Sequence, residues 1–444
     1  MVKDIVIVGG GGSGWMTAGM LVTENKYKIT VIEPEGIPPI GVGEGTWPTM
    51  KSFLMEMDLD IDDIGGTKKL GIDYIDWYVN HSSKHNHFYH PFFNMTFTKK
   101  LDMNDIFIEY INGGLLEKKL LFEKLFPESY GETFITDSYG YHFDVDKFIP
   151  ALKEKCINLG CKVINAKVED CKFNLDGSIK SVVLDDEKEI VGDYFVDCTG
   201  FKRVLISKMK NTFIDLSDEF LCNSAITTHI DLKNEKEYYW TKCSALSSGW
   251  VWNIPLKDKI GIGYVYSDKF ISDTDAKKEL NEHLDIEGNY QLLQWKPGFL
   301  KEPFVKNCVA IGLSAGFIEP LEATNYQMQW IIIDRLKALL DGKIRNSNAN
   351  TFVGRWFNSL AFFIISHYLF SKRNDSKFWK YFSSLKIPHD IKNIINNLFR
   401  TEDIVSFASI KNFTKKTLIL PTGLSWFYLL ISYGINFKKE LYNK

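Results

Sequence analysis

The stretch Asp4-Ile5-Val6-Ile7-Val8-Gly9-Gly10-Gly11-Gly12-Ser13-Gly14 decides the fold. Its first half is a short continuous apolar run, as in a buried strand, and Trp15–Thr23 follows with apolar residues at helical spacing. A second apolar strand, Lys28–Glu33, completes a βαβ unit. Gly9, Gly11 and Gly14 fit G-x-G-x-x-G, with Gly12 and Ser13 inside the turn. Glu33 closes the second strand about 20 residues on, where an acid can accept from a ribose hydroxyl. The physical basis is a helix N-terminus aimed at a pyrophosphate with no Cβ in the way. Strand, turn, helix and acid in that order predict a dinucleotide site rather than a mere glycine-rich turn.

Working outward, Val163–Val168 and Ile179–Leu184 bracket the turn Asn174-Leu175-Asp176-Gly177, which predicts a hairpin. Tyr194–Val196 then runs into Asp197-Cys198-Thr199-Gly200, a strand with a small, Gly-terminated turn that suits close approach to the same cofactor. From Phe220 to Tyr266 aromatics alternate along strands, as in Trp250-Val251-Trp252, predicting an antiparallel sheet that covers a site. Val305–Gly312 reads as another buried strand and Asn325–Leu340 as a helix, and from about Ser347 helical patterns dominate.

Composition bounds the partners. The 444 residues carry 53 Lys+Arg against 56 Asp+Glu, a balance that attracts neither nucleic acid nor an anionic membrane. Hydrophobic content of 45% with 25% charged residues is that of a globule with ample core, which excludes disordered and disulfide-scaffold classes. Seven cysteines without C-x-x-C or metal-ligand spacing read as reduced, buried thiols of a cytoplasmic protein. No basic, apolar and small-residue succession marks a signal peptide. Leu360–Phe370 and Leu424–Tyr433 fall short of the roughly 20 residues that span a bilayer. His81, His85, His87 and His90 cluster in sequence, but without H-E-x-x-H or a carboxylate partner they predict no metal.

Several separated segments together resemble the flavin-dependent halogenases of the tryptophan-halogenase type. They are Gly10–Ala18, Gly41-Val42-Gly43-Glu44-Gly45-Thr46, His87-Phe88-Tyr89-His90-Pro91-Phe92, Gly249-Trp250-Val251-Trp252-Asn253-Ile254-Pro255, Phe317–Thr324 and Phe370–Asp375. The G-W-x-W-x-I-P stretch is the most diagnostic, because it separates these enzymes from flavin monooxygenases. The resemblance implies an α/β fold: a discontinuous Rossmann-like FAD module of the glutathione-reductase/monooxygenase type (1–80, 140–215, 300–345). It adds an antiparallel sheet insert, segments 81–139 and 216–299 covering tunnel and substrate, and a helical C-terminal substrate cap over 346–444. Beyond the glycine loop and Glu33, it assigns Gly43, Glu44, Val168, Thr199, Gly200, Gly312, Leu313 and Tyr326 to the cofactor.

The chemistry so implied uses FADH2, supplied by a separate flavin reductase, together with O2 and a halide. The resulting hypohalous acid passes through a tunnel to an aromatic substrate, while a flavin monooxygenase that hydroxylates directly is the alternative. Lys69 matches the essential lysine and would hold the oxidant by hydrogen bonding or react to a haloamine; the adjacent Lys68 keeps a solvated charge pair open as the alternative. Glu322 matches the catalytic carboxylate and would act as acid or base, with Glu319 its local competitor. Both carboxylates precede the helix from Asn325, where its dipole favours negative charge anyway. Thr324 and Asn325, at that helix start, would receive the halide. Family members carry Ser-Thr-Gly after the Glu where this chain has Ala323-Thr324-Asn325, so bromide or iodide becomes as plausible as chloride, as in viral and marine broad-scope members. His90, Phe92, Trp250 and Trp252 match substrate and tunnel positions. No convincing counterpart to the residues that grip the amino-acid end of tryptophan occurs between Tyr381 and Lys444, and Leu424-Ser425-Trp426-Phe427 is only loosely similar. The resemblance thus implies an electron-rich, indole-like or phenolic substrate, and leaves homo-oligomerisation open.

Overall fold

The computed structural model describes residues 3–36, 44–77, 87–92, 139–232, 239–285, 288–371, 373–393, 425, 426 and 429. Gly43, His81 and His85, together with most of the expected 81–139 segment and of the chain after 393, lie outside them. The organising layer is a six-stranded sheet in the order Phe304–Val305, Cys308–Ala310, Tyr194–Asp197, Lys3–Val8, Tyr27–Glu33, Lys162–Asn165. It is parallel except at the Phe304–Val305 edge. Parallel strands need helical crossovers that bury both faces, and the near-continuous apolar runs of Ile5–Val8 and Ile29–Ile32 meet that demand. The helix Gly12–Val22 fills the first crossover, with Trp15, Met16, Ala18 and Leu21 sealed against the sheet and the helix Val145–Asn158.

Two expectations change at strand ends. Val163–Val168 is not one hairpin arm: Lys162–Asn165 extends the parallel sheet, and the hairpin is Val168–Phe173 with Ile179–Leu184, widened by Glu189–Val191. Ala166 still bonds to the Glu33 carbonyl before the chain leaves the parallel ladder, a handover between sheets that periodicity does not reveal. Val305–Gly312 is likewise divided. Polar Lys306-Asn307 turn the chain, Lys306 in the left-handed region, between Phe304–Val305 and Cys308–Ala310.

A seven-stranded sheet forms the second layer, in the order Gln291–Gln294, Ser224–Asp231, Lys259–Tyr266, Gly249–Pro255, Trp240–Leu246, Gly71–Ile75, His87–Pro91. Only the Trp240–Leu246 and Gly71–Ile75 pair is parallel. Between the two layers lies a small sheet of Glu44–Gly45, Gly140–Phe143 and Thr67–Lys69. The chain therefore changes sheet at Leu70, within the span assigned to the cofactor module, and Lys69 stands at the seam. The helices Asn325–Leu340, Asn346–Phe370 and Lys377–Ser384 close the remaining side. All seven cysteines are buried and free. Among the described residues no helix is long and apolar enough to cross a membrane.

Candidate active site

The glycine loop is the meeting point of distant segments. Gly9 is left-handed at φ 112°, and a Cβ there would strike the Cys198 carbonyl oxygen at 2.4 Å. A Cβ at Gly14 would meet the Gly9 oxygen at 1.9 Å, and one at Gly12 the Tyr326 hydroxyl at 2.7 Å. Gly312, at φ 67°, leaves room for Ser13 Oγ, which a Cβ would meet at 2.0 Å. Gly11 differs: nothing lies within 4 Å of its missing Cβ, and it precedes a helix whose first amides have no side-chain cap. Open space in front of free N–H groups fits a pyrophosphate. Glu33 sits beside Gly10, but its carboxylate receives the Trp15 indole N–H at 3.1 Å and pairs with Lys153. The Thr199 hydroxyl turns inward, donating to Asp197 at 2.6 Å and accepting from the Val204 amide, while Gly200 opens the next turn at φ 65°. Val168 is buried where the hairpin leaves the parallel sheet.

A cavity of about 210 Å³ lies beyond Gly312 and Tyr326, residues that pack on this loop. Glu44, Leu313, Thr324 and Asn325 line it towards the glycine loop, Trp250, Trp252, Thr241 and Cys243 along the large sheet, and Lys69 and Glu322 beyond. Glu44 is half-buried, and desolvation pushes its carboxyl up to about 8. Thr324 ends a turn in which Glu322 and Ala323 are both left-handed, φ 70° and 52°, before the helix Asn325–Leu340 begins. The Asn325 side chain accepts from Gln329 at 3.2 Å. Trp252 lies on Gly263, where a Cβ would come within 2.0 Å of the indole.

Lys69 is not a solvated lysine. It is 0% exposed, and among the described residues its Nζ has no hydrogen-bond partner. The ring centroid of Phe92 lies 5.1 Å from that Nζ. Burial pulls its ammonium down to about 8, against the opposing pull of Glu322 and Cys243. Lys68, by contrast, is partly exposed and lies 5.3 Å from the Tyr139 ring.

Glu322 and Glu319 are both sealed and behave oppositely. Burial raises the Glu322 carboxyl, but His90 and His367 more than offset it and hold the group well below the usual carboxylate range. His90 Nδ1 lies 2.7 Å from Oε2, His367 Nε2 lies 3.1 Å from Oε1, and the Tyr74 hydroxyl donates to Oε1. Trp47 donates to the Glu322 carbonyl at 2.8 Å, fixing the left-handed turn. Glu319 accepts from Tyr368 at 2.8 Å, and burial outweighs that bond and pushes it up to about 8. The competition noted in the sequence resolves geometrically: Glu322 lines the cavity with Lys69, whereas Glu319 points to Tyr368. Beyond Glu322, His90 meets Phe92 and Phe363, and Trp426 packs 5.3 Å from Phe363.

Comparison with known proteins follows the same line. The family model described as tryptophan halogenase matches residues 4–440. The chain belongs to the tryptophan halogenase family. It is similar to tryptophan 6-halogenase SttH of Streptomyces toxytricini, 30% identical over 433 residues covering 86% of this chain and 81% of that one. Tryptophan 7-halogenase RebH of Lentzea aerocolonigenes is 29% identical, covering 89% and 81%. Among solved structures, a tryptophan halogenase from Shewanella frigidimarina aligns with a TM-score of 0.83 at 27% identity, covering 98% of this chain and 89% of that one. A flavin-dependent halogenase from Xanthomonas campestris aligns at 0.81 and 25%, with the same coverage.

Around the cavity and Glu322 this flavin-dependent halogenase gathers more residues than its motifs suggest. His367 and Phe363 sit in an apolar run that reads as core, and Tyr74 lies in a short strand where Asp73 breaks the apolar pattern. His367 had one signal: it breaks the Leu360–Phe370 run. His142 and Thr241, behind Lys69, carried none.

Proposed function

We propose that this halogenase attaches a halogen to an electron-rich aromatic, indole-like or phenolic, using FADH2 from a separate reductase, O2 and chloride, bromide or iodide. The observation that carries the reading is the fully buried Lys69 ammonium, without a hydrogen-bond partner among the described residues, on a cavity that Leu313, Thr324 and Asn325 also line. Reduced flavin with O2 and halide supplies hypohalous acid. The glycine loop, Ser13, Gly312, Leu313 and Tyr326 would hold the cofactor, and Thr324 with Asn325 would receive the halide at the cavity's near end. Apolar walls of Trp250, Trp252 and Ile254 keep water from the oxidant on its way. At Lys69 the ammonium orients it by donating a hydrogen bond. Phe92 and His90 flank the aromatic ring, and ionised Glu322 stabilises the cation that halogen addition creates before taking its ring proton.

The test is Lys69→Ala with a reductase, each halide and an aromatic library read by mass spectrometry. Flavin binding should persist while halogenated product falls below detection. Retained halogenation would refute the role of Lys69, and oxygenated product without halide would favour a monooxygenase.

A further inference from the structure

Ala323 stands where the family resemblance implies a serine, so one hydroxyl is missing from the wall beside Lys69. The opposite wall supplies another. A Cβ built on Gly45 would meet Lys69 Nζ at 2.9 Å, the Ala323 Cβ at 3.3 Å and Thr241 Oγ1 at 3.6 Å. The ammonium, the alanine methyl and a threonine hydroxyl therefore flank one glycine. Thr241 lines the same cavity and is 7% exposed.

The direction of the Thr241 O–H is set from behind. A proline carbonyl can only accept, so Thr67 Oγ1, 2.7 Å from the Pro255 oxygen, donates to it. With its proton committed, Thr67 is an acceptor towards His142 Nδ1 at 3.4 Å, which places the ring proton on Nδ1. His142 is fully buried, and burial first, then the Lys69 charge, keep its imidazole neutral. Its Nε2 is thus a lone pair, and Thr241, 2.8 Å away, donates its only proton there. What Thr241 presents to the cavity is lone pairs alone, beside a cation that has no hydrogen-bond partner among the described residues.

We propose that Thr241, oriented by His142, is the second contact for the oxidant at Lys69. This rests on the halogenation reading. The Lys69 ammonium donates to the oxygen of hypohalous acid while Thr241 Oγ1 accepts the acid's O–H. As the aromatic carbon bonds to halogen, the O–X bond breaks, and its electron pair with a Lys69 proton completes water. The ring proton passes to Glu322 and returns to the Lys69 amine, so that ArH and HOX become ArX and H2O. An acceptor-only hydroxyl also discriminates: halide and hypohalite have no proton to offer it and gain nothing from it, whereas the neutral acid gains a hydrogen bond.

The test measures how oxidant partitions between aromatic product and a water-soluble thioether scavenger, with thermal midpoint and flavin affinity as controls. Thr241→Val should shift partition towards the scavenger by about tenfold, one hydrogen bond to a reacting group, while Thr241→Ser stays within about twofold. Ala323→Ser added to Thr241→Val should restore most of the loss by returning a hydroxyl to the facing wall. His142→Gln, which frees the Thr241 hydroxyl to turn, should give an intermediate shift and serves if Thr241→Val does not fold. Partition in Thr241→Val equal to the original protein, or equal losses with Val and Ser, would overturn the proposal. An original protein that yields no halogenated product at any halide would instead overturn the reading beneath it.

Discussion

An ammonium sealed from water without a partner works against folding, and among the described residues the packing of two sheets holds Lys69 in that state. Its folded value of about 8 lies below the ordinary 10.5. Below 8 both folded and unfolded chains are charged and the native state bears the full burial cost; between 8 and 10.5 the unfolded chain binds more protons, so stability rises with pH. Lys69→Met should therefore stabilise the protein by about 1–3 kcal/mol at pH 7, with the advantage shrinking as pH approaches 10. Urea midpoints of the flavin-free protein across that range check it, and no gain at pH 7 would mean that the ammonium is stabilised by some group after all. Glu322 runs the other way. Its carboxyl is low because His90 and His367 outweigh burial, so His367→Phe should raise it and move the acid limb of the halogenation rate upward by at least about one pH unit. An unmoved limb would leave the charge to His90 and Tyr74.

At the scale of elements, the glycine turns separate folding from cofactor binding. Gly312→Ala places a methyl group against Ser13 at a left-handed position and should lower both thermal stability and flavin affinity. Gly11→Ala adds a methyl group to open space in front of the first helix amides at an ordinary φ of -79°. It should leave the flavin-free protein's midpoint unchanged and weaken flavin binding about tenfold or more in a fluorescence titration. Equal midpoints with equal affinity would remove the pyrophosphate from that turn. The same elements show what a sequence can carry. Strand, glycine turn, helix and Glu33 were legible because each is specified by near neighbours in the chain. The handover at Ala166, the turn at Lys306 and the change of sheet at Leu70 were not, because strand partners lie far along the chain and periodicity is silent about them. The same limit hid Thr241 and His142, whose part depends on Gly45, Lys69 and Pro255 brought together from three separate strands.

For the whole molecule, the parallel sheet supplies the nucleotide turn, the antiparallel sheet walls the cavity, and the small sheet between them sets Lys69 at the far end. Among the described residues the only G-x-G-x-x-G turn between strand and helix is the one at Gly9–Gly14. Apart from the parallel Gly71–Ile75 and Trp240–Leu246 pair, the strands of the large sheet pair antiparallel, which needs none of the helical crossovers on which a dinucleotide rests. The proposed scheme therefore brings electrons in on the flavin itself. Mixed anaerobically with NADPH, the flavin-loaded protein should keep its oxidised absorbance for minutes and lose it within seconds once a flavin reductase is added. A separately reduced flavin, given in place of NADPH and reductase, should support halogenation at the same yield per flavin. Stoichiometric bleaching by NADPH alone would require a nicotinamide site on this chain and would displace the reductase from the scheme, while leaving the roles of Lys69 and Glu322 to be judged by their own variants.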